Sequence, residues 1–170
     1  MKEITYNYDE VNENEINRIV RRAKILIVNS KDELMFAHSN KNYFLIGGHV
    51  ETDESDFECL EREIKEELGL DIKIEPSLPF LRIKYLNRDY PSEGVNTMSL
   101  ANYYILKKDL TPKEHKTKLT DSEKAGEFHA VNINVLEAID VLIKSIDNST
   151  RKGAVLDTIE AVKEYINITN

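Results

Sequence analysis

Between Arg21 and Ile46 the chain alternates short apolar runs with polar breaks. RRAKILIVN leads with basic residues into a β-branched stretch, and ELMFAH and NYFLI follow, separated by clusters of Asn, Ser, Lys and Asp. Runs of this kind bounded by turn formers predict three successive strands. The first eight residues alternate loosely and predict an edge strand, with the polar DEVNENEIN after them as a loop. The period then changes. From Phe57, apolar residues recur at Leu60, Ile64 and Leu68, spacings that place them on one face of a helix. Thr52, Asp53, Ser55 and Asp56 supply the chemistry of a helix start, and Gly69 that of a C-cap.

Downstream, DIKIEPSLPFLRIKYL alternates again, and Pro76 and Pro79 predict a break between two strand segments. NRDYPSEG reads as a turn and NTMSLANYYILKK as a long strand. Residues 109 to 126 are polar and predict a surface loop, of a length often tied to function. EFHAVNI predicts a short strand, and Asn134 caps the helical pattern of VLEAIDVLIKSI. A last helix, from Thr150 to Ile166, carries Val155, Ile159, Val162 and Ile166 on one face. Strands, helix, strands and two C-terminal helices predict an α/β fold with a sheet between helices. At 170 residues one domain is expected, residues 1–170.

Composition narrows the function. With 41% hydrophobic and 32% charged residues the chain has the balance of a folded, soluble protein. It contains no apolar run long enough to span a membrane, and MKEITYNYDEVNENE lacks the apolar core of a signal peptide, so a cytoplasmic location and no membrane partner are expected. The one cysteine, Cys59, excludes an internal disulfide. A net charge of −8 argues against a nucleic-acid partner, whose backbone demands clustered Lys and Arg. It leaves room for a small phosphorylated substrate met by divalent cations and a few local basic groups.

The stretch that carries chemistry runs from Gly47 to Leu70. Glu63, Glu66 and Glu67 stand three and four apart, so their carboxylates share a helix flank, where like charges repel without a cation between them. Hard oxygen donors suit Mg²⁺ or Mn²⁺. Arg62 can fix one carboxylate through its fork, and the Gly47–Gly48 pair lets backbone approach closely and offers a carbonyl as a further ligand. A solvated acidic face is the plain alternative, and the spacing argues against it. From Gly48, five residues lead to Glu54, seven more to Arg62, and then the chain reads Arg62-Glu63-Ile64-Lys65-Glu66-Glu67-Leu68-Gly69-Leu70. This resembles the Nudix box, GX5EX7REUXEEXGU with U aliphatic, at all of its specified positions.

The resemblance implies a Nudix-type α/β/α sandwich with a mixed sheet, here followed by two C-terminal helices. It implies a hydrolase that cleaves the diphosphate linkage of a nucleoside triphosphate, nucleotide sugar or dinucleotide with Mg²⁺, or Mn²⁺ in its place. Carried over, Glu63, Glu66 and Glu67 become metal ligands with one of them able to act as base, Arg62 orients Glu63, Glu54 supports the loop, and the Gly47 carbonyl is a further ligand. Relatives often add a glutamate from a loop before the last strand. Glu123 is favoured over Glu127 for that role, and a plain loop glutamate is the other reading. Tyr85, where some subgroups carry a marker, hints at a dinucleotide-type substrate or an aromatic-stacked base, against the alternative of a packed strand residue. Arg82, with Lys84 and Arg88, offers cations for phosphates, or else a strand's solvent face. His38, His49, His115 and His129 form no ligand pattern. A non-catalytic nucleotide sensor and an RNA 5′-end pyrophosphohydrolase rank lower, because the box is complete and no basic stripe is present. A homodimer is left open.

Overall fold

In the computed structural model, which describes residues 1–169, seven strands form one mixed sheet. They are β1 (Lys2–Tyr6), β2 (Arg18–Val28), β3 (Glu33–Ser39), β4 (Asn42–Phe44), β5 (Leu81–Asn87), β6 (Thr97–Lys107) and β7 (His129–Asn134). The order is β1-β5-β6-β2-β3-β4, with β7 on β3. β2 pairs in parallel with β6 along all of its length, from Arg18 opposite Thr97 to Val28 opposite Lys107. Its residues Ala23, Ile25 and Ile27 are buried on one face and Leu26 and Val28 on the other, as a central strand covered on both sides requires. Beyond β4 the chain doubles back along β2, bridging at Ile46 to Ile25 and at His49 to Arg22.

The first helix, α1 (Asp56–Leu68), covers the Ala23–Ile25–Ile27 face with Cys59, Leu60, Ile64 and Leu68. Burying side chains of this size contributes about 1.5–3 kcal/mol each. Its start is a capping box: the Ser55 hydroxyl accepts from the Glu58 amide at 3.2 Å, and the Glu58 carboxylate accepts from the Ser55 amide at 2.8 Å. Gly69 closes it in the left-handed region, φ 68°. A short α2 (Asp121–Ala125) precedes β7. The last two helices, α3 (Val135–Ile146) and α4 (Lys152–Thr169), pack on the opposite face around Leu26, Phe36, Leu81 and Ile83. The α/β/α sandwich expected from the sequence is the architecture observed.

Three local expectations need correction. Residues 71–79 form no strand: Ile72 and Ile74 pack beside α1, and the Ile74 amide donates to the Glu61 carboxylate at 2.9 Å, so its donor is satisfied by a side chain instead of a ladder. The stretch 109–126 is not plain loop, since it contains a 3₁₀ turn at Glu114–Lys116 and then α2. It wraps the end of α1, where the Lys113 amide donates to Leu68 O at 2.7 Å and the Lys118 amide to Glu66 O at 2.8 Å. Two carbonyls that a helix end leaves unpaired are thereby satisfied. The last helix runs from Lys152 to Thr169, later at both ends than the pattern indicated.

Candidate active site

The site is built where α1 meets the doubled-back chain at Gly47 and Gly48. Gly47 has φ +124°, and a Cβ there would lie 2.2 Å from the Ala23 carbonyl oxygen on β2. Gly48 is small for a different reason: a Cβ would lie 2.0 Å from Glu63 Oε1. The two glycines thus let backbone press against β2 on one side and receive a helix carboxylate on the other.

Arg62 organises the acids of α1. Its guanidinium grips Glu54 with both edges, Nε to Oε1 at 2.9 Å and Nη2 to Oε2 at 3.1 Å. It also donates to Glu63 Oε1 at 2.8 Å, to Glu66 Oε2 at 3.4 Å and to the His49 carbonyl at 3.0 Å. This is the bidentate geometry that suits arginine and not lysine. The Arg62 fork holds the Glu54 carboxyl below the usual range and is itself raised by Glu54. Burial pushes Glu63 up, against the pull of Arg62. Glu67 is pushed up to about 8, first by burial, with the charges of Glu63 and Glu123 adding to it and Lys24 opposing. Cys59, beneath the loop, donates its thiol to the His49 carbonyl at 3.3 Å, and burial pushes the thiol up to about 12.

These groups open into a cleft of about 840 Å³. Gly47, Arg62, Glu63, Glu66, Glu67 and Glu123 all line it, so the structure brings together the box residues and the additional glutamate expected from the sequence. Glu123 reaches it from α2, with its Oε2 accepting from the Thr120 amide at 2.7 Å and hydroxyl at 2.9 Å. Tyr85 lines the far end, and its hydroxyl donates to Asp157 of α4. Arg82 is not in the lining. It donates to Asn102 at 2.9 Å, and Asn102 in turn reaches Asp56 of α1, on the other face of the sheet. Arg82 and Tyr85 are an odd number of residues apart, so one strand turns them to opposite sides.

Sequence reasoning missed the cations of the cleft and the carboxylate at its far end. Arg22 and Lys24 project from β2 into the lining, and Asp157 does so from α4. The Lys24 ammonium donates to the Gly47 carbonyl and, at 3.3 Å, to that of Leu45; burial lowers its pKa while Glu67 and Glu63 pull it back up. The signal was present: Arg22 and Lys24 share the strand face of the buried Leu26 and Val28, and basic residues on a core face are seldom there for packing.

Among the described residues, no three His, Cys, Asp or Glu side chains converge as a ready metal site. The donor chemistry nonetheless fits a hard divalent cation. Glu63 and Glu67 are carboxylates whose burial disfavours their charge, and Glu66 raises Glu63 further. A cation bound between them would relieve that penalty.

Comparison with known proteins bears on the family. None of the curated proteins matches the chain. Among solved structures, it is similar to the ORF135 protein of E. coli, with 16% identity, 76% of this chain and 83% of that one covered, and a TM-score of 0.48. It is also similar to a MutT protein from Methanosarcina mazei, with 17% identity, 87% and 95% covered, and a TM-score of 0.48. The model of the NUDIX domain family matches residues 18–151, most of the chain that builds the sheet, α1 and the cleft, and the chain belongs to that family.

Proposed function

We propose that residues 1–170 form a single-domain, cytoplasmic, divalent-metal-dependent pyrophosphohydrolase acting on a nucleoside diphosphate derivative. The observation that carries this reading is the meeting, in one cleft, of the α1 carboxylates fixed by Arg62 with the two strand cations Arg22 and Lys24. Glu63, Glu66 and Glu67, with the Gly47 carbonyl, are the groups that would hold Mg²⁺ or Mn²⁺. When bound, such an ion neutralises diphosphate charge and lowers the pKa of a water molecule. The chain's own residues do the rest. Arg62 keeps Glu63 aimed into the cleft, Gly48 leaves the space that Glu63 occupies, Arg22 meets the oxygens of a bound diphosphate, and Lys24, which donates to the Gly47 carbonyl here, would turn to a phosphate oxygen once an ion took that carbonyl. Glu123, facing Glu67 across the cleft, is the candidate for taking the proton of the attacking water, a role that needs a carboxylate within reach of the reacting oxygen. Positioning and electrostatics supply most of the rate in reactions of this class.

A panel of nucleoside triphosphates, nucleotide sugars and dinucleoside polyphosphates, incubated with Mg²⁺ or Mn²⁺ and followed by released phosphate after a phosphatase, tests the reading. Metal-dependent turnover of at least one class is expected, with most of it lost in Glu67→Gln while the thermal midpoint is kept. Tight nucleotide binding without turnover at saturating metal would instead identify a sensor.

A further inference from the structure

The cleft extends well beyond the carboxylates of α1, and its far end has a different chemistry. From Gly47 and Gly48 it crosses β2, β6 and β5, three strand spacings or about 14 Å, before reaching Tyr85. Its charges are ordered along that path. Lys24 is felt by Glu63 and Glu67, Arg22 by Lys24 and also by Asp157, and Asp157 stands at the end. Arg22 is anchored in the middle by the Ser99 hydroxyl, its Nη1 lying 2.5 Å from Oγ.

Asp157 lines the cleft beside Tyr85, three strands from the carboxylates of α1, with no salt-bridge partner among the described residues. Its Oδ1 accepts from the Tyr85 hydroxyl at 2.5 Å, and Tyr85 is stacked against Tyr6 with ring centroids 4.8 Å apart, so the carboxylate is fixed from below. Its other oxygen has no donor among the described residues. Burial raises its pKa, while the Tyr85 hydrogen bond and the charge of Arg22 pull it back down. Tyr103 lies close enough to feel its charge, and Phe44 and Ala154 add apolar surface to the lining, which also holds Arg151 and Thr158.

A carboxylate offers phosphate no hydrogen-bond donor, so this end receives the part of the substrate that carries none. It accepts hydrogen bonds only, and it rewards a group that presents two adjacent N–H donors. Among the common bases, guanine alone offers such an edge, with N1–H beside the N2 amino group. Adenine and cytosine place a ring acceptor next to their amino group, which would face the carboxylate lone pairs. We propose that Asp157, positioned by Tyr85, reads the N1–H/N2 amino edge of a guanine base and makes guanosine nucleotides the preferred substrate class. The proposal rests on the reading of this cleft as a nucleotide site, with phosphates at the Arg22–Lys24 end.

The test is the binding of GMP, IMP and AMP to the whole protein by calorimetry, alongside hydrolysis of the corresponding di- and triphosphates with Mg²⁺. IMP is guanosine monophosphate without the N2 amino group. The wild type should bind GMP on the order of 10- to 100-fold more tightly than IMP or AMP, as for a charge-assisted hydrogen bond that is lost with its desolvated partner left behind. Asp157→Asn keeps the size and an acceptor for Tyr85 but puts an amide donor in the cleft, and it should erase the gap between GMP and IMP. Should that variant fold poorly by thermal melt, Tyr85→Phe, which leaves the carboxylate but frees it, must reduce the GMP preference roughly tenfold. Equal binding of GMP and IMP by the wild type, an undiminished gap in the variants, or failure of all three nucleotides to bind overturns the proposal. Hydrolysis without base preference would sink this inference and leave the pyrophosphohydrolase reading standing; a GMP preference without any hydrolysis would do the reverse.

Discussion

Two adjacent glycines do separate jobs here, and alanine at each should separate them experimentally. In Gly48→Ala the new methyl lies 2.0 Å from Glu63 Oε1 and 2.6 Å from its Cδ, so the Glu63 side chain must swing away. Its hydrogen bond from Arg62 at 2.8 Å goes with it. Losing a charge-assisted bond of this kind costs about 1.5–3 kcal/mol, roughly one to two orders of magnitude in kcat/KM if Glu63 holds the metal. Gly48 has an ordinary negative or extended φ, so alanine adds no backbone strain, and a stiffer unfolded chain offsets part of the loss, by about 0.4–1 kcal/mol. Gly47→Ala is the opposite case. Its φ of +124° excludes a side chain, and the methyl would meet the backbone oxygen of Ala23 at 2.2 Å, where no side chain can give way. The expected pattern is a Gly48→Ala protein with a modestly lowered urea midpoint, weakened Mg²⁺ affinity and low turnover, and a Gly47→Ala protein that melts markedly earlier still. Full turnover in Gly48→Ala, or equal destabilisation by the two substitutions, would refute the assignment of Glu63 to the reacting end of the cleft.

Three further outcomes follow from the same geometry. Because burial holds Glu67 near 8, the metal-free folded chain carries a proton there that the unfolded chain gives up in the ordinary carboxylate range. Stability linked to this group is therefore present below that range and is lost as pH rises through about 8, and Mg²⁺ binding at pH 7 should release about one proton, seen by calorimetry in buffers of different ionisation enthalpy; no release would mean that Glu67 is not a ligand. Asp56 is buried and accepts from Arg21, from Asn102 at 2.7 Å and from Tyr104 at 2.8 Å, so Asp56→Ala should lower unfolding free energy by about 3 kcal/mol in urea titration, much of it from the stranded Asn102 amide. Cys59, with its thiol pushed up to about 12 and no exposure, should resist alkylation at pH 8 until denaturant is added.

What could be read from the sequence was what neighbouring residues decide among themselves. The helix start around Ser55, the C-cap glycine at Gly69 and the stripe of Leu60, Ile64 and Leu68 are all local, and so is the spacing that sets Arg62 beside Glu63 and Glu66. The failures have non-local causes. Ile72 and Ile74 alternate like a strand but find α1 and the Glu61 carboxylate before they find a sheet edge. The polar segment after Asp109 acquires order because α1 ends in carbonyls that need donors, which Lys113 and Lys118 supply. Asp157 stands in a helix seventy-two residues after Tyr85, and only the packing of α4 over β5 joins them. Arg82 is the instructive case, since strand parity alone separates it from Tyr85.

The electrostatics of the cleft also reconcile a net charge of −8 with the polyanionic substrate proposed above. Its field at a distance repels phosphate, and at physiological salt that field decays within about 8 Å. Inside the cleft the balance is set by a few groups at fixed places. β2 presents Arg22 and Lys24 on one wall, and α1 presents its acids on the other, with Arg62 already committed to Glu54, Glu63 and Glu66. Lys24 in turn is engaged by the carbonyls of Leu45 and Gly47 and by the fields of Glu63 and Glu67. On the α1 wall only Arg62 stands among Glu63, Glu66 and Glu67, so a diphosphate placed against that wall without a metal would meet carboxylates, while Lys118 and Arg151 join Arg22 and Lys24 elsewhere in the lining. A divalent ion delivered with the diphosphate changes the sign of that wall. On the proposed function, selectivity for metal-complexed over free nucleotide would follow from the placement of the acids, and discrimination among bases would fall to the Asp157 end of the cleft.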